Sequence, residues 1–194
     1  MEDPLEFALS LGLGVALASA CGFRVFVPMF VVGLAQRTGN LEVLENFQWL
    51  SSNTVLVCLG AATLLETLAY FIPVVDNFLD TIATPAAAVA GTVMTFGMVS
   101  DISPWLHWTL AVIAGGGTAT VVQSGTVALR AGSTALTAGT ANPIIGAVES
   151  IGAVIMTILS VLLPPLGILL AIIILYFAIR SGFRFLNSRN TAAA

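Results

Sequence analysis

The sequence predicts an all-α protein, a polytopic membrane helix bundle of about six transmembrane helices. Three observations predict it. Of 194 residues, 58% are apolar and only 8% are charged, with a mean hydropathy of +1.02. A soluble domain carries about 25% charged residues, so these charges are too few to build a water-facing surface. Disorder is excluded as well, because it needs low hydrophobicity and high charge. Third, the apolar residues fall in runs near the roughly 20 residues that cross a bilayer as a helix. Residues 1–194 read as a single integral membrane domain.

The elements follow in order. Leu5 to Ala35 is one apolar run, interrupted by Arg24 and Pro28. It is over-long for a straight span, so it must tilt, kink or run past the interface. Gln36 to Asn53 is polar, and its Phe47 and Trp49 suit an interfacial segment. Thr54 to Val75 is the second span, with Glu66 near its middle and Pro73 breaking the helix near its end. Asp76 to Asp80 forms an acidic corner before a third span, Thr81 to Ser100. A short turn, Asp101 to Pro104, leads to a fourth span, Trp105 to about Gln123. Ser124 to Asn142 is rich in small residues and reads as a loop, a re-entrant segment or more of helix four. The fifth span is Pro143 to Leu163, and Asn142-Pro143 reads as its helix start. Pro164-Pro165 breaks the chain, the sixth span runs from Leu166 to about Phe183, and a polar tail follows from Arg184.

Charge excludes whole classes of function. The net charge is −4, from ten acids and six arginines without a lysine, which argues against a nucleic-acid partner. Cys21 and Cys58 lie in apolar runs and read as buried hydrophobes. The single histidine makes no His-rich metal site, and no HExxH, CxxC, P-loop or dinucleotide motif occurs. No metal, cofactor or catalytic residue is therefore expected. The opening Met-Glu-Asp-Pro is acidic where a cleavable signal is basic. Arg180, Arg184 and Arg189 cluster late in the chain, and positive flanks stay in the cytoplasm. Six spans would then put both termini there, across a prokaryotic inner membrane.

Two halves, 5–100 and 105–186, suggest an inverted repeat of the kind found in transporters. Glu66 and Glu149 each sit in a small–apolar–apolar–Glu–hydroxyl–apolar stretch, with Arg24 and Arg130 upstream. A chance match of two glutamates in apolar sequence is the plain alternative.

Chemistry concentrates at the intramembrane charges. A charge at the helix centre costs at least about 2.5 kcal/mol on insertion scales, so Glu66 is the most informative residue. It reads as a proton or ion site or as a salt-bridge partner of Arg24; unpaired in apolar surroundings it would bind a proton reversibly. Arg24 lies four residues before Pro28, whose ring leaves the carbonyl of residue 24 without a donor. That turn is expected to face the bundle interior. Glu149 is the second intramembrane acid, about 9 Å into its span, with Arg130 as candidate partner. Asp76 and Asp80 are spaced i, i+4 and would share a helix face. With Thr84 nearby they suit a hard cation, or equally a helix cap with Pro85 at the first helical position. Small residues recur every fourth position at Gly12, Ala16 and Ala20, at Ala83, Ala87, Gly91 and Thr95, and at Gly115 and Ala119. Such faces pack helices inside a bundle or between copies in a homo-oligomer. Trp105 and Trp108 read as interface anchors, and His107 as an interfacial polar residue.

The segment from Ala20 through Arg24 to Pro28 resembles the opening motif of an uncharacterised prokaryotic membrane-protein family, domain of unknown function 4126. Leu65-Glu66 through Ala69-Tyr70, Pro73 through Ala86, and the Asn142-Pro143 and Glu149 region are similar to it too. The resemblance implies a small multi-span protein without an activity to carry over. It points to Arg24, Pro28, Glu66, Tyr70, Asp76, Asp80 and Pro85.

The expected function is a channel or secondary transporter for a proton or small ion. Arg24, Glu66, Tyr70, Arg130 and Glu149 would line the pathway, with helix breaks at Pro28 and Pro73. The alternative is a scaffold or assembly factor binding another membrane protein or lipid. An enzyme is not expected, because no nucleophile has an evident base.

Overall fold

The computed structural model describes residues 3–41, 45–69, 72–99 and 102–192, with backbone alone at 46, 73–77 and 184–192. Every regular element among them is helical: α1 Pro4–Phe23, α2 Phe26–Arg37, α3 Asn53–Ala69, α4 Pro73–Met98, α5 Pro104–Leu110, α6 Gly117–Thr137, α7 Asn142–Leu162 and α8 Pro164–Ala192. A 3-10 turn, Glu45–Ser51, precedes α3. A π turn, Ala111–Gly116, joins α5 to α6, so Pro104–Thr137 is continuous. Five helices are long and apolar enough to cross a membrane, while α2 and α3 are shorter, with 12 and 17 residues.

α1 is the axis. Asp3 caps it by accepting from the N–H of Leu5 at 3.2 Å, and Pro4 sits at its first position. Every residue from Ala16 to Gly22 is buried, as expected of a helix apolar all round. α4, α6, α7 and α8 pack around it. Small residues allow the close approach. A Cβ on Gly22 would lie 2.7 Å from the carbonyl oxygen of Ala119, and one on Gly91 would lie 2.7 Å from that of Gly115. Ala16 and Ala20 cluster with Met156 and Ala171. The small-residue ladders are thus used within the chain.

The first apolar run is not one kinked span. α1 stops at Arg24, whose backbone is extended (φ −146, ψ 126), and α2 starts afresh at Phe26. Pro28 is the reason: in a continuous helix its ring would clash with the carbonyl of Arg24, whereas in a first turn no N–H is needed there. The chain then doubles back. Gly14 of α1 lies against Thr95 near the end of α4, and Gly97 lies against Phe47 of the 3-10 turn. Leu50 of that same turn covers Gly33 of α2. So α2 returns toward the end of the bundle where α1 began, here the near end, and α1–α2 is a helical hairpin. Its tip meets Gly146 and Ser150, about 6–12 Å along α7 from the far end.

The relative directions of the first and last helices follow from their contacts. α1 and α8 run parallel: Gly12 meets Ile168, while further along Gly22 meets Val122, and Gly125 one turn on meets Ala178. α1 therefore begins, and α8 finishes, at opposite ends. Other boundaries shift too. Pro73 opens α4 instead of breaking the second span, so Asp80 and Pro85 lie inside that helix and neither Asp80 nor Thr84 is its N-cap. Ser124 to Asn142 continues the fourth helix as far as Thr137. The stretch from Arg184 is helical backbone to Ala192.

Candidate functional site: a buried charge network at the hairpin tip

The tip leaves polar groups inside an apolar bundle, and each must be satisfied. The first N–H groups of α2 have no helical partner. Glu66 reaches them from α3: its Oε1 accepts from Val25 N–H at 2.8 Å and its Oε2 from Phe26 N–H at 3.1 Å. A carboxylate at a helix N-terminus also complements the helix dipole. Glu66 therefore binds backbone, and no ion pair joins it to Arg24 among the described contacts.

Arg24 is 1% exposed and turns the other way, into α7. Its Nε donates to Ser150 Oγ at 2.9 Å and its Nη2 to the carbonyl oxygen of Gly146 at 2.7 Å. The same Nη2 lies 3.5 Å from Glu149 Oε2. That oxygen also accepts from Arg130 Nη2. Arg130 Nη1 donates to Asp80 Oδ1 at 2.9 Å. Asp80, Arg24, Arg130 and Glu149 are all buried, so α1, α4, α6 and α7 are joined by one ionic chain. Removing a partner from a buried pair leaves the other charge uncompensated, at a cost of about 3–5 kcal/mol.

The sequence-derived candidates divide cleanly. Arg24, Glu66, Arg130, Glu149 and Asp80 come together at one level of the bundle. The Arg130–Glu149 pairing is as expected, and the expected Arg24–Glu66 pair gives way to Arg24–Glu149. Thr84 Oγ1 donates to the backbone carbonyl of Asp80 at 3.3 Å, a local helix bond. Pro28 makes the break, and Pro73 starts a helix. Tyr70 and the side chain of Asp76 lie outside the described residues. No group of three or more His, Cys, Asp or Glu suited to a metal occurs among the described residues.

Sequence reasoning missed Ser150, the Gly146 carbonyl and the N–H groups of Val25 and Phe26. Backbone partners carry no sequence signal. Ser150 does: it follows Glu149 and sits one turn beyond Gly146, where a hydroxyl and an uncovered carbonyl share a face. His107 lies elsewhere, near the start of the fourth helix. It stacks on Phe96 at 3.7 Å, and its Nε2 donates to the Phe96 carbonyl at 2.9 Å.

These features define a class: a polytopic membrane helix bundle with a helical hairpin and a buried ionic chain at its tip. A family model described as Domain of unknown function (DUF4126) matches residues 11–184. The chain belongs to that family, and the match contains every residue of the network. No curated protein and no solved structure matches it.

Proposed function

We propose that the protein is a channel or secondary transporter moving a proton or small ion past the hairpin tip. The observation that carries the reading is Glu66 holding the N-terminus of a half-helix inside the bundle, beside the ionic chain. Broken helices whose half-helix ends face an ion or substrate recur at transporter binding sites. Glu66 has two natural states here. As a carboxylate it caps α2; once neutralised by a proton or a cation it caps less well, and α2 is freer to move. Arg24 and Arg130 form the fixed counter-charge. The reading is not enzymatic, since no step needs a nucleophile.

Directions support an inverted arrangement. α2, α3 and α4 each run opposite to α6, α7 and α8 in turn. Charge supports an orientation. Arg180, Arg184 and Arg189 fall at the far end, and Asp3, Glu6 and Glu45 at the near end with Arg37. By the positive-inside rule the far end is cytoplasmic and α1 starts outside, in a plasma membrane.

The test is flux across proteoliposomes, with wild type beside Glu66→Gln. The amide keeps an acceptor for the cap but cannot carry the charge. Flux should fall at least about tenfold, one rate decade being about 1.4 kcal/mol of barrier. Unchanged flux in E66Q removes the residue from the mechanism. No flux from folded wild type overturns the reading in favour of an assembly partner, which would co-purify stoichiometrically.

A further inference from the structure

A second site lies far from the ionic chain, where α2 and α3 diverge toward the near end. A groove of about 520 Å³ opens there on the flank of the bundle, walled by Phe30, Leu34, Leu56 and Val57. Its floor is Gly60 and Ala61. A Cβ on Gly60 would meet the Phe30 ring at 3.3 Å, so the glycine lets that ring pack against α3. The apolar lining runs about 7.5 Å along α3, from Leu56 to Ala61.

One end of the groove is different. Arg37 and Asn53 stand there, with the guanidinium donating to Asn53 Oδ1. Arg37 is exposed, and it is the one cation at the near end among the described side chains. The N-terminus of α3 opens at the same place, with Ser52 Oγ accepting from Val55 N–H at 3.4 Å. A positive side chain and the positive end of a helix dipole therefore meet at the mouth of an apolar slot. The mouth lies at the helix ends, where head groups lie, and the slot points toward the bilayer centre. An amphiphile fits this pattern in one direction only: anionic head at Arg37, acyl chain along Leu34 and Val57 toward Gly60.

We infer that the α2–α3 groove binds an anionic phospholipid, its phosphate on Arg37 and one acyl chain in the slot. The inference does not depend on the ion pathway. Both kinds of lipid carry the phosphate, so the preference comes from the extra cation that a zwitterionic head sets beside Arg37; one exposed charge contact is worth up to about 1 kcal/mol, which makes about fivefold the upper bound. The test is native mass spectrometry of the full chain after equilibration with equimolar phosphatidylglycerol and phosphatidylcholine. Wild type should retain phosphatidylglycerol in excess, by up to about fivefold. Arg37→Gln should remove the excess, and Gly60→Leu, which fills the slot, should lower both adducts. Equal retention of the two lipids by wild type overturns the proposal, as does an excess that survives R37Q. Because Arg37 is exposed, R37Q decides the point even if G60L fails to fold.

Discussion

Glu149 is the residue on which the network turns, because its Oε2 faces both Arg24 and Arg130. Its Oε1 has no hydrogen-bond partner among the described residues, though the side chain is 5% exposed. One oxygen thus holds two guanidiniums while the other stays available. Glu149→Ala would take from Arg24 and Arg130 the carboxylate they share, leaving Arg130 its pair with Asp80 and Arg24 its bonds to Ser150 and the Gly146 carbonyl. We expect a loss of about 3–5 kcal/mol of stability, read as a lower melting temperature in detergent. Glu149→Gln, which keeps an acceptor, should lose less. Equal melting of E149A and wild type would mean the arginines are satisfied without it. The charged members of this site were legible in the sequence, since arginine and glutamate are too costly in an apolar run to be incidental. The pairing was only partly legible. Arg130–Glu149 could be read, but Arg24 and Glu66 turn away from each other because backbone donors freed at the tip compete for the carboxylate.

At the scale of elements, packing depends on helices meeting at small residues. Gly91 of α4 faces Ala119 Cβ at 2.6 Å and the Gly115 carbonyl oxygen at 2.7 Å, measured from an added Cβ. Gly152 of α7 has open space around it. Gly91→Val should therefore cost at least the roughly 1–3 kcal/mol of overpacking, while Gly152→Val should melt close to wild type. Equal melting of the two variants would contradict the contact. The π turn Ala111–Gly116 lies at this crossing, and Thr95 Oγ1 beside it is buried with no hydrogen-bond partner among the described residues. Helix existence was readable from apolar runs; helix ends were not. Proline explains the errors. Pro28, Pro73 and Pro85 all break a helical pattern, yet they occupy a first turn, a first position and a helix interior respectively. Local sequence does not separate these roles, because tertiary contacts decide whether the lost bond is tolerated.

At the scale of the molecule, the membrane assignment was the most legible property, because composition alone excludes a soluble surface. Topology was the least legible. A run of apolar residues looks the same whether the chain crosses or turns back, and the reversal at Arg24–Val25 depends on partners in α3 and α7 that are distant in sequence. Yet the whole account rests on that reversal: without it α2 would not present its N-terminus to Glu66 inside the bundle. The most direct test locates the two ends of the chain. In a Cys21→Ala, Cys58→Ala background, Asp3→Cys and Ser188→Cys are labelled separately with a membrane-impermeant maleimide in right-side-out and inverted vesicles. The account predicts opposite accessibility, with residue 3 labelled only in right-side-out vesicles and residue 188 only in inverted ones. Labelling of both from the same side would contradict the placement of the start of α1 and the end of α8 at opposite ends of the bundle.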